Sequence, residues 1–326
     1  MKVLVTGATG CVGRAVVRTL LDAGHTVRGV WRGVAPAHAG LPEAGGTLEW
    51  VRAELTRDDL LALTLGCDAV VHLAALVHHP EVHDLAAYTL ANTTVTTNLH
   101  DAAIAGGLRR GRFVFASTVA VYGKDFDLHA DETTPVAPRT PYGRSKLAAE
   151  QMVRERHGIV LRLPITYGPG DRGNMAQLIR AVAAGRFALP GPCDKPRSFL
   201  AADNAAHAVA CALALPQPPD DDLFLVTDRE DRSTRGVVTT IAAALAAGGR
   251  EVRVREAPYP LVWAAALAGS TLGALGLRVP VTLAALRKLT TGLTFSSERA
   301  RAQLGYAPVR RLDDALRGAV AATSAG

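Results

Sequence analysis

The chain has little cysteine, no clustered charge and no clean hydrophobic span. Its four cysteines, Cys11, Cys67, Cys193 and Cys211, are scattered through 326 residues with no C-x-x-C spacing. Four isolated buried thiols in a reducing cytosol are the expected state, so the protein reads as cytoplasmic. The net charge of +6 is spread along the chain without a Lys/Arg block. No nucleic-acid partner is expected from a scattered arginine excess, and a phosphorylated small ligand is the better use of those charges. The N-terminus has a single Lys2 before a strand pattern, with no apolar h-region of the signal-peptide kind. One apolar stretch, Leu261 to Leu277, is rich in Ala and Gly and holds Ser270 and Thr271. It lacks the roughly 20 strongly apolar residues of a span and is read as a packed helical segment with no membrane contact. No repeat or low-complexity tract is evident.

What is present is a regular alternation. Hydrophobic content of 48% with 20% charged residues fits a globular chain with a large core. "KVLVTGA" is a β-branched run stopping at glycine, and "VGRAVVRTLLDAG" carries apolar residues at helical spacing up to Gly24. "TVRGVWR", "DAVVHLAA", "GRFVFAST" and "IVLRLPITYG" read as further strands. The helices expected between them are "TRDDLLALTLGC", with Thr56, Asp58 and Asp59 at its positive end, "YTLANTTVTTNLHDAAIAGG" and "YGRSKLAAEQMVRERHG". Strand and helix alternating at short spacing predict an α/β, Rossmann-type doubly wound parallel sheet over residues 1–168. Past Gly168 the pattern loosens around Pro and Gly clusters. A smaller C-terminal substrate-binding lobe is expected over 169–326, with some segments returning to the core.

In "TGATGCVG", Gly7, Gly10 and Gly13 fall three apart between a strand and a helix. Gly7 suits the tight turn, Gly10 the approach to a pyrophosphate and Gly13 close helix–strand packing, so a dinucleotide is expected there. A carboxylate at the end of the second strand would read the ribose hydroxyls of NAD. Trp31 stands there instead, followed by Arg32, with Arg28 nearby. A guanidinium pairs with a 2′-phosphate and Trp31 can lie against adenine, which favours NADP(H) and leaves NAD(H) open.

"TPYGRSK" places Tyr142 and Lys146 four apart on one helix face, after a strand ending in Ser117 and Thr118. Lys146 is expected to lower the pKa of Tyr142, so that the phenol exchanges a proton with an alcohol or sugar hydroxyl. Lys146 would also hold the nicotinamide ribose, and Thr118 would bond the reacting oxygen.

With these motifs in this order, the chain resembles the extended short-chain dehydrogenase/reductase family, in its nucleotide-sugar epimerase, dehydratase and reductase branch. The resemblance covers nearly the whole chain. It implies that Glu54 and Leu55 sit at the adenine, that Leu73, Ala74 and Ala75 line the cofactor, and that Asn92 and Pro164 lie beside the nicotinamide. Cys11 and Val12 belong to the phosphate turn. In the second lobe, Asn174 and Met175 match positions that meet a nucleotide diphosphate, and Arg197 matches an arginine that binds it. The implied substrate is a nucleotide-linked sugar, and the implied assembly a homodimer through two long helices, one after Ala91 and one carrying Tyr142.

Departures from the family pattern narrow the chemistry. Val95 replaces a glycine usual in its helix. Sugar 4,6-dehydratases place Asp-Glu after the strand-end threonine, whereas here Val119 and Ala120 follow Thr118. Neither moves a proton, which leaves 4-epimerisation or keto-sugar reduction, with reduction slightly ahead because of Trp31 and Arg32. Reduction of a non-sugar ketone is a third possibility. The histidines His72, His78, His79 and His83 do not make an expected metal set, because Pro80 interrupts the helix that His79 and His83 would share. His78 or His79 is expected near the substrate mouth. Cys11 sits at a helix N-terminus, which can lower a thiol pKa, but packing is its expected role.

Overall fold

The computed structural model describes residues 1–33, 45–77, 84–123, 128–217, 219, 221–274, 279 and 282–324. Seven strands form its main sheet: β1 (Lys2–Thr6), β2 (Thr26–Trp31), β3 (Leu48–Arg52), β4 (Ala69–His72), β5 (Phe113–Thr118), β6 (Ile159–Leu163) and β7 (Leu223–Leu225). Their order is β3-β2-β1-β4-β5-β6-β7, and every pair is parallel. Parallel strands are buried on both faces, which accounts for the continuous burial along β4 and β6 and the apolar run Val3–Val5 in β1. Helices Cys11–Asp22 and Ala202–Ala214 cover one face through Val16, Val17, Leu20, Ala205 and Val209. Helices Val95–Ala105 and Pro141–Glu155 cover the other through Leu99, Ala103, Ala149 and Val153. The chain reverses direction across the sheet between β1 and β4. That switch point opens a crevice at the strand ends, where this architecture binds ligands.

Two strands were missed in the sequence. β3 is a partly buried edge strand without a strong apolar run, and β7 has three residues. The run read as a single strand from Ile159 to Gly168 is broken. Pro164 lacks an N–H and ends β6, and Ile165–Tyr167 leaves the main sheet to pair with Phe199–Ala201. The helix read from Thr56 shortens to Leu60–Thr64. Its cap is Asp59, whose carboxylate accepts from the N–H groups of Leu61 and Ala62. Asp58 instead accepts from the N–H of Glu54. The helix expected around Asn92 has three parts, with a π-helical turn over Thr89–Thr94 between Leu85–Tyr88 and Val95–Ala105.

Helices Asn174–Ala183, Thr234–Ala247 and Leu312–Ser324 enclose a separate core with Met175, Ile179, Val237, Ile241 and Leu316. A small sheet joins Arg232–Ser233, Pro196–Arg197, Leu293–Phe295 and Leu128–Ala130 beside it. The stretch expected to pack as a helix from Leu261 forms helix Tyr259–Ala274, but its large side chains face outward. The reason is that its protein-facing stripe is made of small residues. Among the described residues no helix is long and apolar enough to cross a membrane.

Candidate active site

One cavity of 580 Å³ runs from the glycine turn to the small sheet. Gly7, Gly10, Cys11, Val12 and Gly13 line one end, Leu73, Ala75, Pro164, Thr118, Tyr142 and Lys146 the middle, and Asn174, Leu293 and Phe295 the other end. Gly7 takes φ +67°, and a Cβ on it would lie 2.8 Å from the backbone nitrogen of Ala74. A Cβ on Gly13 would lie 2.1 Å from the carbonyl oxygen of Gly7. Both glycines are therefore required by the turn itself. Helix Cys11–Asp22 has no side-chain cap and no acid in its first turn. Its opening N–H groups and positive end are left for an anion, so the turn fits a dinucleotide pyrophosphate. Cys11 is not activated by that position. Burial, with Asp171 and Asp203 adding to it, pushes its thiol up to about 12.

At the end of β2, Trp31 stacks under the guanidinium of Arg52, 5.7 Å from the ring centroid. The side chain of Arg32 is 77% exposed and meets Glu54 at 3.5 Å. One guanidinium thus covers Trp31 and a second follows it in the chain, and Arg52 was not singled out from the sequence. Arg28 is not part of this group. It pairs with Glu49 and donates to the carbonyls of Leu63 and Leu65. Leu55 packs against the core, and neither it nor Glu54, Trp31 or Arg32 borders the cavity.

Thr118 closes β5 and caps the short helix Val119–Tyr122, accepting from the N–H of Ala120 at 3.2 Å. Its own O–H remains to donate to Tyr142, an interaction that lowers the phenol's pKa. The lowering is overwhelmed. Protein crowding around the hydroxyl pushes Tyr142 up to about 12, which reverses the expectation that Lys146 would depress it. Tyr88 adds to the rise, and Lys146 is itself only 2% exposed. Burial drives the ammonium down to about 7, opposed by Glu150. Its Nζ lies 3.9 Å from the centroid of the Phe115 ring. Each group is shifted by its own desolvation, toward its neutral form.

Beneath this pair lies a buried polar network. Glu150 accepts from Ser117 at 2.8 Å and from both arms of the Arg162 guanidinium, which also donates to the Tyr122 hydroxyl at 2.8 Å. The four-residue step from Lys146 to Glu150 could have revealed the acid in the sequence.

A second network ties the site to β1. Thr96 donates its hydroxyl to the Asn92 carbonyl at 2.5 Å and therefore accepts from His72 Nε2 at 3.0 Å. His72 Nδ1 then accepts from the Thr6 hydroxyl at 2.7 Å, and Thr6 accepts from the N–H of Ala74. Burial, with Lys146 adding to it, lowers His72 to about 3, so it stays neutral and structural. Asn92 is buried. Its amide brackets the backbone of Leu76 and donates to Ser145 at 3.0 Å, and Ser145 donates to the carbonyl of Tyr142 at 2.9 Å. Asn92 thus holds the Tyr142 helix rather than lining the cavity. His78, His79 and His83 lie outside the described residues. Among those described, no cluster of His, Cys, Asp and Glu could hold a metal.

The three residues carried over to the diphosphate separate. Asn174 lines the cavity. Met175 is buried in the lobe core. Arg197 is buried, donates to the carbonyls of Lys288 and Thr291, and does not border the cavity. The rest of the cavity is lined by Leu128, Ile165, Leu293 and Phe295, by Val119 and Ala120 following Thr118, and by the polar Arg139, Thr140 and Thr166.

The model of the NAD dependent epimerase/dehydratase family matches residues 3–224. A UDP-glucose 4-epimerase of Vibrio cholerae is 28% identical over 97% of this chain and 93% of its own. A 4-hydroxy-2-methyl-3-oxo-4-farnesyl-3,4-dihydroquinoline-1-oxide ketoreductase of Stigmatella aurantiaca is 29% identical over 94% of this chain and 92% of its own. Among solved structures, a UDP-glucuronic acid 4-epimerase from Bacillus cereus in complex with NAD superposes with a TM-score of 0.77. That match covers 100% of this chain and 99% of the other at 21% identity, so it speaks for the fold alone.

Proposed function

Since the chain belongs to the NAD dependent epimerase/dehydratase family, we propose that it is an NADP(H)-dependent ketone reductase, with Tyr142 as the proton donor. One observation carries the reading. A single cavity joins an anion-ready glycine turn to a protonated phenol, and continues into apolar walls. Gly7, Gly10, Cys11, Val12 and Gly13 would hold the pyrophosphate, Trp31 and Arg32 the adenine end, and Lys146 the nicotinamide ribose. When bound, the dinucleotide supplies a hydride to the carbonyl carbon.

The chain's own groups do the rest. A phenol with a pKa near 12 keeps its proton at neutral pH, which suits donation to a carbonyl oxygen better than removal of a proton from an alcohol. Thr118 sits beside it and, when substrate is bound, would turn its single O–H from the Tyr142 oxygen to the carbonyl oxygen. Lys146, near 7, is close enough to neutral pH to return a proton to Tyr142 after each turnover. The lack of a carboxylate at the end of β2, with Arg32 and Arg52 beside Trp31, supports NADP(H) over NAD(H).

The substrate this geometry favours is a ketone in apolar surroundings. Leu128, Ile165, Leu293 and Phe295 offer apolar contact area, while Arg139, Thr140 and Asn174 on the same wall can meet a polar or anionic group. Arg197, the group that would pair with a diphosphate, is committed to backbone carbonyls. The alkyl-bearing substrate named for the Stigmatella relative agrees with this. Nucleotide-sugar chemistry, reduction or 4-epimerisation, is the second reading. Asn174 on the cavity wall and the Vibrio relative favour it. Val119 and Ala120 carry no proton and argue against a 4,6-dehydratase in either case.

Purified protein incubated with NADPH and a panel of β-keto acids, aryl ketones and UDP-hexoses separates these readings. NADPH consumption with an apolar ketone is the expected result. Protein that retains stoichiometric NAD and interconverts UDP-hexoses without consuming NADPH would overturn the proposal.

A further inference from the structure

Helix Tyr259–Ala274 is packed in the reverse of the usual surface arrangement. An ordinary surface helix turns large apolar residues inward and charges outward. Here Val262, Ala266, Gly269 and Ser270 form the inward stripe, and Ala266 is fully buried. Leu261 is 68% exposed and Trp263 46%, and Tyr259, Leu267 and Leu272 are exposed as well. The helix carries no charge. Its two small hydroxyls are turned to the backbone: Ser270 donates to the carbonyl of Ala266 and Thr271 to that of Ala268, both at 2.8 Å. Besides the Tyr259 hydroxyl and the Trp263 indole N–H, the exposed arc offers water only the Thr271 hydroxyl oxygen.

Four cations lie on the segments next to this helix. Arg253 and Arg255 precede the helix, and Arg287 and Lys288 lie on helix Leu283–Thr290, which packs against it. All four are exposed, and none has an acidic partner among the described residues. Glu256, the nearest acid in sequence to the helix, is paired with Arg235.

We propose that this helix docks the protein on the surface of an anionic lipid bilayer. Trp263 and Leu267 on one flank of the exposed arc, and Leu261 and Leu272 on the other, would enter the boundary between headgroups and acyl chains. Tyr259 and Trp263 have the amphipathic rings that settle at that depth. The four cations would lie over anionic headgroups, each adding about fivefold to binding at moderate salt. With 16 residues the helix is about 24 Å long, shorter than the roughly 30 Å hydrocarbon core. It therefore lies on the membrane, with the protein body in place of the polar face that such helices otherwise carry. Charge points to the occupant: an uncharged apolar helix with four cations close to it, unpaired among the described residues, suits an anionic surface. The proposal stands apart from the reading of the active site, since it involves none of the cavity's residues.

The test is flotation of the whole protein with phosphatidylcholine vesicles, with and without phosphatidylglycerol. The protein is expected to float with the anionic vesicles, to stay behind with neutral ones, and to lose binding as salt rises. Trp263→Ser combined with Leu267→Ser should lower partitioning at least tenfold. Arg287→Glu with Lys288→Glu should do the same. Both pairs lie on the surface, and unchanged melting and unchanged NADPH binding will show that the fold is intact. Wild-type protein that stays in solution with anionic vesicles would overturn the proposal. So would a dimer in light scattering that the Trp263 and Leu267 substitutions dissolve while vesicle binding is absent, because the helix would then be an interface between copies.

Discussion

The ammonium of Lys146 lies 3.9 Å from the centroid of the Phe115 ring, on the floor of a dry pocket. A cation–π contact returns part of the hydration that burial removes, but not all of it. Burial brings Lys146 from 10.5 to about 7. Below the lower value Lys146 is charged in the folded and unfolded chain alike, and the desolvation penalty is fully present. Between the two values the folded chain has lost the proton that the unfolded chain keeps, so this contribution to stability improves as pH rises. Lys146→Met should therefore be more stable than the wild type by a few kcal/mol at about pH 6, with the gap closing toward about pH 10. Thermal melts of both proteins across that range check it.

Tyr142→Phe removes the transferable proton and little volume. Turnover should fall on the order of 10²–10⁴-fold, while NADPH affinity, measured by fluorescence, should stay near the wild-type value. Near-normal turnover would remove Tyr142 as the acid.

Glu150→Gln leaves the Arg162 guanidinium buried at 3% exposure without its carboxylate. Stripping one partner from a buried pair costs about 3–5 kcal/mol, to be read from denaturant midpoints. It also removes the neighbour that holds the pKa of Lys146 up. Any pH break assigned to Lys146 in the rate profile should accordingly move to lower pH.

Arg32→Ala and Arg52→Ala test the cofactor reading. The Arg32–Glu54 pair is exposed and worth little by itself, so neither change should shift the melting temperature. Together they should weaken NADPH binding about tenfold or more and leave NADH binding unchanged.

Much of this was legible from the sequence because it rests on local rules. Gly7 and Gly13 are demanded by a positive φ and a near contact, and an apolar run ending in such a turn has few other readings. Tyr142, Lys146 and Thr118 could be placed together because helix spacing and a strand end set their positions. What long-range contacts decide was not legible. Nothing local in Arg197 says that its guanidinium will be taken by the carbonyls of Lys288 and Thr291, some 90 residues on. The pKa values of Tyr142 and Lys146 depend on how closely the surrounding elements pack, so a pairwise argument gave the wrong direction for the phenol. The stretch from Leu261 reads as a packed helical segment because it is apolar. Its orientation is set by which residues are small enough to face the protein.

The most direct test of the central claim uses NADPH deuterated at the transferable nicotinamide position. Incubated with the enzyme and an apolar ketone, it should yield an alcohol carrying one deuterium on the carbinol carbon, and Tyr142→Phe should yield almost none. If the label stays on the cofactor while a UDP-hexose is interconverted, the chain is an epimerase and the account of its cavity is wrong.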